Sequence, residues 1–237
     1  MGKFKKIITY FTPTEICIWI ISILAIIATF IIFNGKNYLT LLASVIGLIA
    51  LMFNAKGNPT GHVLGISFAL IYGYVSYQCA YYGEMITYVG LSAPMALIAF
   101  ISWLRNPFKG KKTEVEINKI KGKEYILLGF LATIITTLFY FILKYFNTAN
   151  LLISTISVTT SFSAVYLTFR RSEYYAVAYG VNDIVLIVLW GLMCIKDISY
   201  LSVVTNMLVF LLNDTYAFIN WRKMRKRQQS QKYLENN

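Results

Sequence analysis

Charged residues are scarce in this sequence, and so are the residue types that build metal centres. Only 14% of its 237 residues are charged, compared with about 25% in ordinary soluble domains. One histidine, His62, and three cysteines, Cys17, Cys79 and Cys194, lie too far apart to form a zinc or haem motif. These absences exclude a soluble domain, a disulfide framework and a metal site, and we expect no cofactor.

Apolar residues are abundant instead. They make up 57% of the chain, and the mean hydropathy is +0.60. Because about 20 apolar residues cross a bilayer as a helix, the sequence predicts an all-α integral membrane protein with about eight transmembrane helices, forming one domain over residues 1–237. The predicted spans cover about 16–33, 38–54, 62–82, 85–104, 125–146, 148–169, 174–195 and 198–221.

The distribution of basic residues predicts the orientation of these spans. With eight spans, 19 of the 22 lysines and arginines fall on one side, and only Lys36, Lys144 and Lys196 fall on the other. Basic residues accumulate on the cytoplasmic side of membrane proteins, so both termini are expected in the cytoplasm. The basic tail at 222–237 is then explained by topology and by attraction to anionic membrane lipid, and no nucleic-acid partner is expected.

Two segments, at about 38–105 and 148–222, share a pattern. Each reads as three spans with a basic loop after the first span, and Ile101-Ser-Trp-Leu-Arg105 corresponds to Ile219-Asn-Trp-Arg-Lys223. A linker helix at about 124–146 separates them, so both repeats start on the same side of the membrane. The result is an N-terminal helix plus a 3+1+3 parallel-repeat bundle, a plan typical of small-solute transporters. Shared composition alone remains the alternative explanation of the similarity.

Two aspartates lie in the middle of apolar spans. A charge at a helix centre costs at least about 2.5 kcal/mol, so Asp183 and Asp214 need a partner or a watery cavity. Other polar and aromatic residues lie near them on the seventh and eighth spans, which predicts a solute-binding cavity between the two. The alternative is that these residues only join helices by hydrogen bonds. The candidate residues are Tyr175, Tyr179, Asn182, Asp183, Trp190, Asn206, Asn213 and Asp214.

The first repeat contributes further candidates. Tyr74 and Gln78 lie on one face of the third span, and Tyr88 lies in the fourth span ahead of Pro94. A proline inside a span frees backbone carbonyls, so Pro94 is expected to break the fourth helix near its midpoint. We therefore add Tyr74, Gln78 and Tyr88 to the candidate site.

The residue types of the candidate site indicate the class of solute. The chain contains 18 tyrosines and 16 phenylalanines, and aromatic rings stack on flat or cationic solutes. It has no GxxxxGK[ST] phosphate loop and almost no basic residue inside the spans, which disfavours a phosphorylated substrate. A neutral or cationic aromatic nucleoside or vitamin is expected.

Several short motifs together resemble the bacterial PnuC family of vitamin transporters. They are Asn54-Ala-Lys-Gly-Asn58, Gly65 among tyrosines, Tyr82-Gly-Glu84, Ser102-Trp-Leu-Arg-Asn-Pro107 and Arg170-Arg-Ser-Glu173. The resemblance covers most of the chain. It implies a fold similar to the SWEET sugar transporters, a homotrimer in the bacterial cell membrane, and uptake of nicotinamide riboside by facilitated diffusion with trapping by cytoplasmic phosphorylation.

The chain departs from that family at the expected ligand site. Well-studied members carry a Trp-x-x-Trp pair followed by an amide in the seventh span, whereas this chain reads Tyr175-Ala-Val-Ala178, then Tyr179 and Asn182. The glutamine expected in the fourth span also has no counterpart. Nicotinamide riboside transport is the leading interpretation, and another vitamin such as thiamine or riboflavin is the alternative. A membrane enzyme or a structural membrane protein is less well supported, because no nucleophile–base pair is visible.

Overall fold

The computed structural model describes residues 10–34, 38–78 and 82–236, and this part of the chain is mostly helical. Two π-helical segments, a 3₁₀ turn and a two-stranded antiparallel hairpin, β1 (Pro107–Phe108) and β2 (Lys111–Val115), complete it. The helices are α1 (Pro13–Thr29), α2 (Tyr38–Ala55), α3 (Thr60–Gln78), α4 (Tyr82–Ile86), α5 (Ala93–Arg105), α6 (Gly122–Tyr145), α7 (Leu151–Phe169), α8 (Tyr175–Cys194) and α9 (Leu201–Asn236).

These helices correspond to the eight spans expected from the sequence. Seven described segments are long and apolar enough to cross a bilayer by length and composition. The eighth is α3, a 19-residue helix whose glycines, tyrosines and His62 make it more polar. The fourth span consists of α4, a π-helical segment and α5. The protein is therefore an all-α integral membrane protein, as the sequence predicts.

Six of the spans form a ring, in which each helix packs against its neighbours. Helix α8 lies against α7 on one side and α9 on the other, while α2 packs against both α3 and α9. The fourth span closes the ring, because α5 contacts α3 and α7. The N-terminal helix α1 lies outside this ring, against α2 and α9.

The fourth span stays helical at the position where a break was expected. A π-helical segment covers Thr87–Ser92, and α5 begins at Ala93 with Pro94 in its first turn. The N–H of Ala93 donates to the carbonyl of Tyr88, five residues earlier. The wider π-helical turn makes room for the proline ring. Because Pro94 also has no N–H to donate, the hydrogen-bond pattern changes here, and the helix continues without a break.

The eighth span continues well past its expected end near residue 221. Helix α9 runs to Asn236, and Gln228 is buried in its extension. The side-chain N–H of Gln228 donates to the carbonyl of Val115 (2.9 Å), and its Oε1 accepts from the backbone N–H of Ile117 (2.9 Å). These contacts with the hairpin region stabilise the helical conformation of the tail.

Acidic residues of the hairpin region and the α7–α8 turn neutralise part of the basic tail. The ion pairs are Arg227 with Glu114, Lys232 with Glu116, and Arg225 with Glu173. Topology and lipid attraction therefore do not account for all of the positive charge at 222–237. Hydropathy could not reveal these pairs, because they join residues more than 50 positions apart in the chain.

Two tryptophans make matching contacts at the hairpin end of the bundle. The indole N–H of Trp103, in α5, donates to the carbonyl of Thr168 at the end of α7 (2.8 Å). The indole N–H of Trp221, in α9, donates to the carbonyl of Asn54 at the end of α2 (2.9 Å). The preceding side chains make equivalent bonds, Ser102 to the Phe169 carbonyl and Asn220 to the Ala55 carbonyl. The two stretches matched in the sequence thus make corresponding contacts.

Helix α1 is attached to the bundle through Glu15. Glu15 and Thr12 form a capping box at the start of α1. The buried carboxylate also accepts from Lys56 Nζ (3.0 and 3.1 Å) and from the hydroxyl of Tyr216 (2.8 Å). One side chain therefore ties α1 to the loop after α2 and to α9.

Candidate functional site

A central cavity lies inside the ring of helices. Its walls come from α2, α3, the fourth span, α7, α8 and α9, and the space between them, including its open mouth, is about 1,020 Å³. The polar and aromatic lining residues are Asn54, Phe68, Glu84, Thr87, Tyr88, Ser92, Ser157, Ser161, Tyr175, Tyr179, Asn182, Asp183, Phe210 and Asp214.

Six of the residues singled out from the sequence meet in this cavity. Five come from the seventh and eighth spans, now α8 and α9, and one comes from the fourth span. They are Tyr175, Tyr179, Asn182, Asp183, Asp214 and Tyr88. The cavity is wider than the expected groove between two spans, since α2, α3 and α7 also contribute to its walls.

Asn182 is held in one orientation by α7. Its Oδ1 accepts hydrogen bonds from the hydroxyls of Thr160 (2.8 Å) and Ser161 (2.9 Å). The amide N–H groups are then the donors that Asn182 offers to a solute. The other hydroxyls of α7 mostly donate to carbonyls of their own helix.

Two carboxyl groups face each other across the α8–α9 contact. Asp183 is 4% exposed and Asp214 is 2% exposed, and their side chains lie within hydrogen-bonding reach of each other. One oxygen of each carboxyl group, Oδ2 of Asp183 and Oδ1 of Asp214, has no other hydrogen-bond partner in the described part of the chain. The pair therefore places carboxyl oxygens at the wall of the cavity.

Other buried polar atoms at the cavity wall are also unpaired. The hydroxyl of Tyr175 and Oδ1 of Asn54 have no hydrogen-bond partner among the described residues, and both side chains line the cavity. An unpaired buried polar group costs about 1–3 kcal/mol. Several such groups at one cavity are available to a polar ligand or to water.

Aromatic rings supply the flat surfaces of the cavity. Tyr175 and Tyr179 meet edge to face with their ring centroids 6.2 Å apart. On the opposite wall, the ring of Tyr88 packs against the rings of Phe68 and Tyr72, with centroid distances of 5.7 Å and 4.7 Å. A flat ring bound between these walls would contact aromatic side chains on both sides.

Packed aromatic residues close the cavity at the hairpin end. Four rings pack in a row, and the distances between the centroids of successive rings are 4.7, 5.3 and 4.2 Å. The rings are those of Tyr175, Trp221, Trp103 and His62. Both indoles are buried and hydrogen-bonded to the ends of α2 and α7. A solute could pass this end only if these rings moved.

A second cavity, called the distal cavity here, lies at the opposite end of the bundle. It is lined by the turn before α7 together with Gly83, Glu84, Trp190 and Met193, and its space, including the open part, is about 690 Å³. Trp190, a sequence candidate, belongs to this cavity and stacks near Tyr200 (5.4 Å). Glu84 lines both cavities, so it stands between them.

The remaining sequence candidates lie away from both cavities. Asn213 donates to Ser22 of α1 (3.2 Å) and to its own helix, and Asn206 lies in a small pocket beside α1 and α2. Tyr74 and Gln78 are exposed and hydrogen-bond to each other (3.1 Å). The structure supports a packing role for Asn213, and these four residues are left out of the proposed binding set.

The fold and the cavity together define a membrane transporter for a small solute. A ring of helices surrounds a site with paired carboxyls, one oriented amide and aromatic walls, and a second cavity lies at the other end of the bundle. A family model described as "Nicotinamide mononucleotide transporter" matches residues 37–223. The chain belongs to this family of transporters, and not to an enzyme family.

Named relatives are similar over most of their length. The chain is 27% identical over 219 residues to the nicotinamide riboside transporter PnuC of Neisseria mucosa, covering 90% of this chain and 83% of the relative. It is 24% identical over 195 residues to the protein of the same name from Haemophilus influenzae, covering 81% and 82%. The resemblance to PnuC proteins found in the sequence is confirmed.

A solved structure supports the same fold. The crystal structure of the vitamin B3 transporter PnuC matches this chain with a TM-score of 0.78 at 23% identity, covering 92% of this chain and 94% of the other.

Proposed function

We propose that this protein transports nicotinamide riboside, in agreement with the names of its relatives. The observation that carries the proposal is the central cavity, in which aromatic walls surround unpaired polar atoms of Asn54, Tyr175, Asp183 and Asp214. Such a site suits a solute with a flat ring and several hydrogen-bonding groups. A nucleoside with an amide-bearing ring has both.

The cavity favours the nucleoside over the nucleotide. No Lys, Arg or His is among the described residues that line the central or the distal cavity. Binding a phosphate dianion inside a membrane protein requires basic side chains or a helix terminus aimed at it. The riboside named for the relatives therefore fits better than the mononucleotide named for the family.

The bound solute is assigned to specific residues. The nicotinamide ring lies against Tyr179 and Tyr88, and the N–H groups of Asn182 donate to the carboxamide or to a ribose oxygen. The ribose hydroxyls donate to the free carboxyl oxygens of Asp183 and Asp214. This set comes from α8, α9 and the fourth span.

Transport by this site is proposed to be facilitated diffusion, with phosphorylation in the cytoplasm retaining the solute. The chain has no nucleotide-binding loop that would supply energy. The distribution of basic residues supports an orientation with both termini in the cytoplasm, and the bacterial cell membrane is part of the proposal through the family resemblance. The matching contacts of Trp103 and Trp221 support two parallel SWEET-like repeats, and a homotrimer is part of the proposal through the family resemblance.

Thiamine is the second candidate, and the carboxyl pair is the observation that favours it over riboflavin. Thiamine carries a cationic ring, which buried carboxyl groups attract, whereas the ring system of riboflavin is neutral. This chain has Ala178 where well-studied relatives carry a second tryptophan at the ligand site. Because its ligand site differs there, its substrate can differ from theirs.

Calorimetric titration of the purified protein with nicotinamide riboside, thiamine and riboflavin tests the assignment. We expect saturable binding of nicotinamide riboside at concentrations where riboflavin gives no heat. Binding of thiamine without binding of nicotinamide riboside would transfer the assignment to the second candidate.

A further inference from the structure

A third cavity, called the basic pocket here, opens at the hairpin end of the bundle. It lies between the segment before α1, the loop after α2, the hairpin and α9, and its space, including the open part, is about 940 Å³. It shares no described lining residue with the central or the distal cavity. Three cationic side chains line it, Lys56, Lys223 and Arg227, and Glu114 is the only acid among its described lining residues.

Helix α9 turns one face toward the basic pocket. Its lining residues are Asn220, Lys223, Met224 and Arg227, and their spacings of three, four and seven place them on the same side of the helix. Lys226, which is exposed on the same helix, does not line the pocket. The excess of basic residues on one side of a membrane protein explains the number of cations here, but not their convergence on one pocket.

Ion pairing leaves one of the three cations uncompensated. Arg227 pairs with Glu114, and Lys56 pairs with the buried carboxylate of Glu15 (3.0 Å). Lys223 is exposed and has no ion pair within the described part of the chain. The pocket therefore carries more positive than negative charge.

Two hydroxyl groups add further hydrogen-bond donors to the basic pocket. They belong to Thr113, in the hairpin, and to Tyr10. The hydroxyl oxygen of Tyr10 accepts from the amide of Asn58 (3.1 Å), so its own hydrogen points to a different acceptor. Ammonium, guanidinium and hydroxyl donors around one space suit a ligand that offers several acceptor oxygens and a negative charge, as a phosphate group does.

We propose that the basic pocket binds the phosphate group of an anionic ligand, and that the bound ligand keeps the hairpin end closed. The ligand joins α9 to the loop after α2, which Trp221 and Asn220 already tie together through the carbonyls of Asn54 and Ala55. The effect on transport rests on the proposed function, in which the solute leaves at this end and is phosphorylated in the cytoplasm. That reaction produces a phosphate monoester on the side of the membrane to which the pocket opens.

A soluble phosphate monoester and the headgroup of an anionic phospholipid offer the same chemistry. Calorimetric titration of the detergent-purified protein with nicotinamide mononucleotide and with inorganic phosphate tests the soluble source. We expect saturable binding of the mononucleotide that weakens as the salt concentration rises, because salt screens exposed charges.

Lys223→Gln identifies the residue responsible for this binding. The substitution removes a charge-assisted hydrogen bond to the phosphate, so Kd for the mononucleotide should rise roughly tenfold. Lys226→Gln, which removes the same charge from an exposed position of the same helix, is the matched control and should leave Kd unchanged. Equal losses in both variants would show that overall charge holds the phosphate, and the pocket assignment would be wrong.

Glu114→Gln should have the opposite effect. It removes the acid that pairs with Arg227 and so frees the guanidinium for the ligand, while the new amide oxygen can still accept from Gln228. We expect Kd for the mononucleotide to fall roughly threefold. Misfolding cannot produce a gain of affinity, and a weaker or unchanged affinity would contradict the role of Arg227.

Lipid nanodiscs test the membrane source. If a phospholipid headgroup is the ligand, phosphatidylglycerol in a phosphatidylcholine nanodisc should raise the Tm of the parent protein more than that of Lys223→Gln, and the mononucleotide should give no heat. If the soluble monoester is the ligand, the two proteins should respond equally to the lipid. A ligand effect that depends on Lys223 in neither experiment would overturn the proposal.

The effect on transport and the binding itself can fail separately from the proposed function. With the soluble ligand, liposomes loaded with the mononucleotide should take up nicotinamide riboside several-fold more slowly than empty ones through the parent protein, but not through Lys223→Gln. Equal uptake by loaded and empty liposomes would contradict closure by the ligand. If the protein does not bind nicotinamide riboside at all, the proposed function fails, while mononucleotide binding that depends on Lys223 still supports the pocket.

Discussion

At the scale of single residues, Asn182 shows how the site obtains its precision. A flexible amide could present either its oxygen or its nitrogen to a solute, but the hydroxyls of Thr160 and Ser161 occupy the oxygen. The helix that carries these hydroxyls, α7, also lines the cavity through Ser157 and Ser161. Its contribution is to orient a side chain of α8.

Removing a ring or a fixed amide from the cavity should weaken binding of nicotinamide riboside. Loss of a stacking aromatic costs about 0.5–2 kcal/mol, and loss of an amide that pairs with a buried ligand group costs about 1–3 kcal/mol. Tyr179→Ala and Asn182→Ala are therefore expected to raise Kd roughly three- to a hundredfold, measured by calorimetry. Thr133→Ala is the matched control, since its hydroxyl is bonded within α6 on an exposed face. Parental affinity in both site variants would contradict this role.

Neighbouring residues on one helix explain which site candidates the sequence identified. Successive residues of a helix point about 100° apart, so Asp214 faces the cavity while Asn213 faces Ser22 of α1. The sequence shows that Asn206 and Asn213 lie on one face of the helix, seven residues apart. It does not show which helix that face packs against. Asn54, Phe68 and Glu84 were missed because they come from α2, α3 and α4, whose positions around the cavity are set only by tertiary packing.

At the scale of helices, hydropathy predicted the spans well because the bilayer fixes their length. The extension of α9 beyond the membrane could not be predicted in that way. It depends on a hairpin more than 100 residues earlier in the chain, through Gln228 and its ion-paired neighbours. The polar sequence after residue 221 has no apolar pattern that would indicate such a partner.

Gln228 should contribute strongly to the stability of this extension. Gln228→Ala leaves the carbonyl of Val115 and the N–H of Ile117 without their partner, at a cost of about 1–3 kcal/mol. The adjacent Gln229 is exposed, and Gln229→Ala is the matched control. Hydrogen exchange of residues 222–236 should be faster in the first variant and unchanged in the second. Equal exchange in both would show that the hairpin contact does not hold the helix.

The two tryptophans should contribute similarly if their contacts are equivalent. Trp103→Phe and Trp221→Phe each remove one indole N–H from a buried carbonyl while keeping an aromatic ring, at a cost of about 1–2 kcal/mol. Both should lower the Tm of the purified protein by comparable amounts, whereas Tyr145→Phe, on an exposed side chain, should not. A shift in only one tryptophan variant would argue against equivalent repeats.

At the scale of the whole molecule, Glu84 lines both the distal and the central cavity, and the packed rings of Tyr175, Trp221 and Trp103 lie at the hairpin end. We infer that the two cavities belong to one transport path, which these rings close at the hairpin end. A transporter that gives access to one side at a time needs such a closed end. In the proposed cycle, movement of these rings opens the hairpin end while the solute remains at the aspartate pair.

The central claim is that this chain carries nicotinamide riboside through the membrane without an external energy source. Its most direct test is uptake of radiolabelled nicotinamide riboside by liposomes that contain the purified protein. We expect saturable uptake above that of protein-free liposomes, ending at equal concentrations inside and outside, with no response to imposed Na⁺ or proton gradients. Uptake no faster than in protein-free liposomes, or accumulation several-fold above the outside concentration under either gradient, would contradict the account.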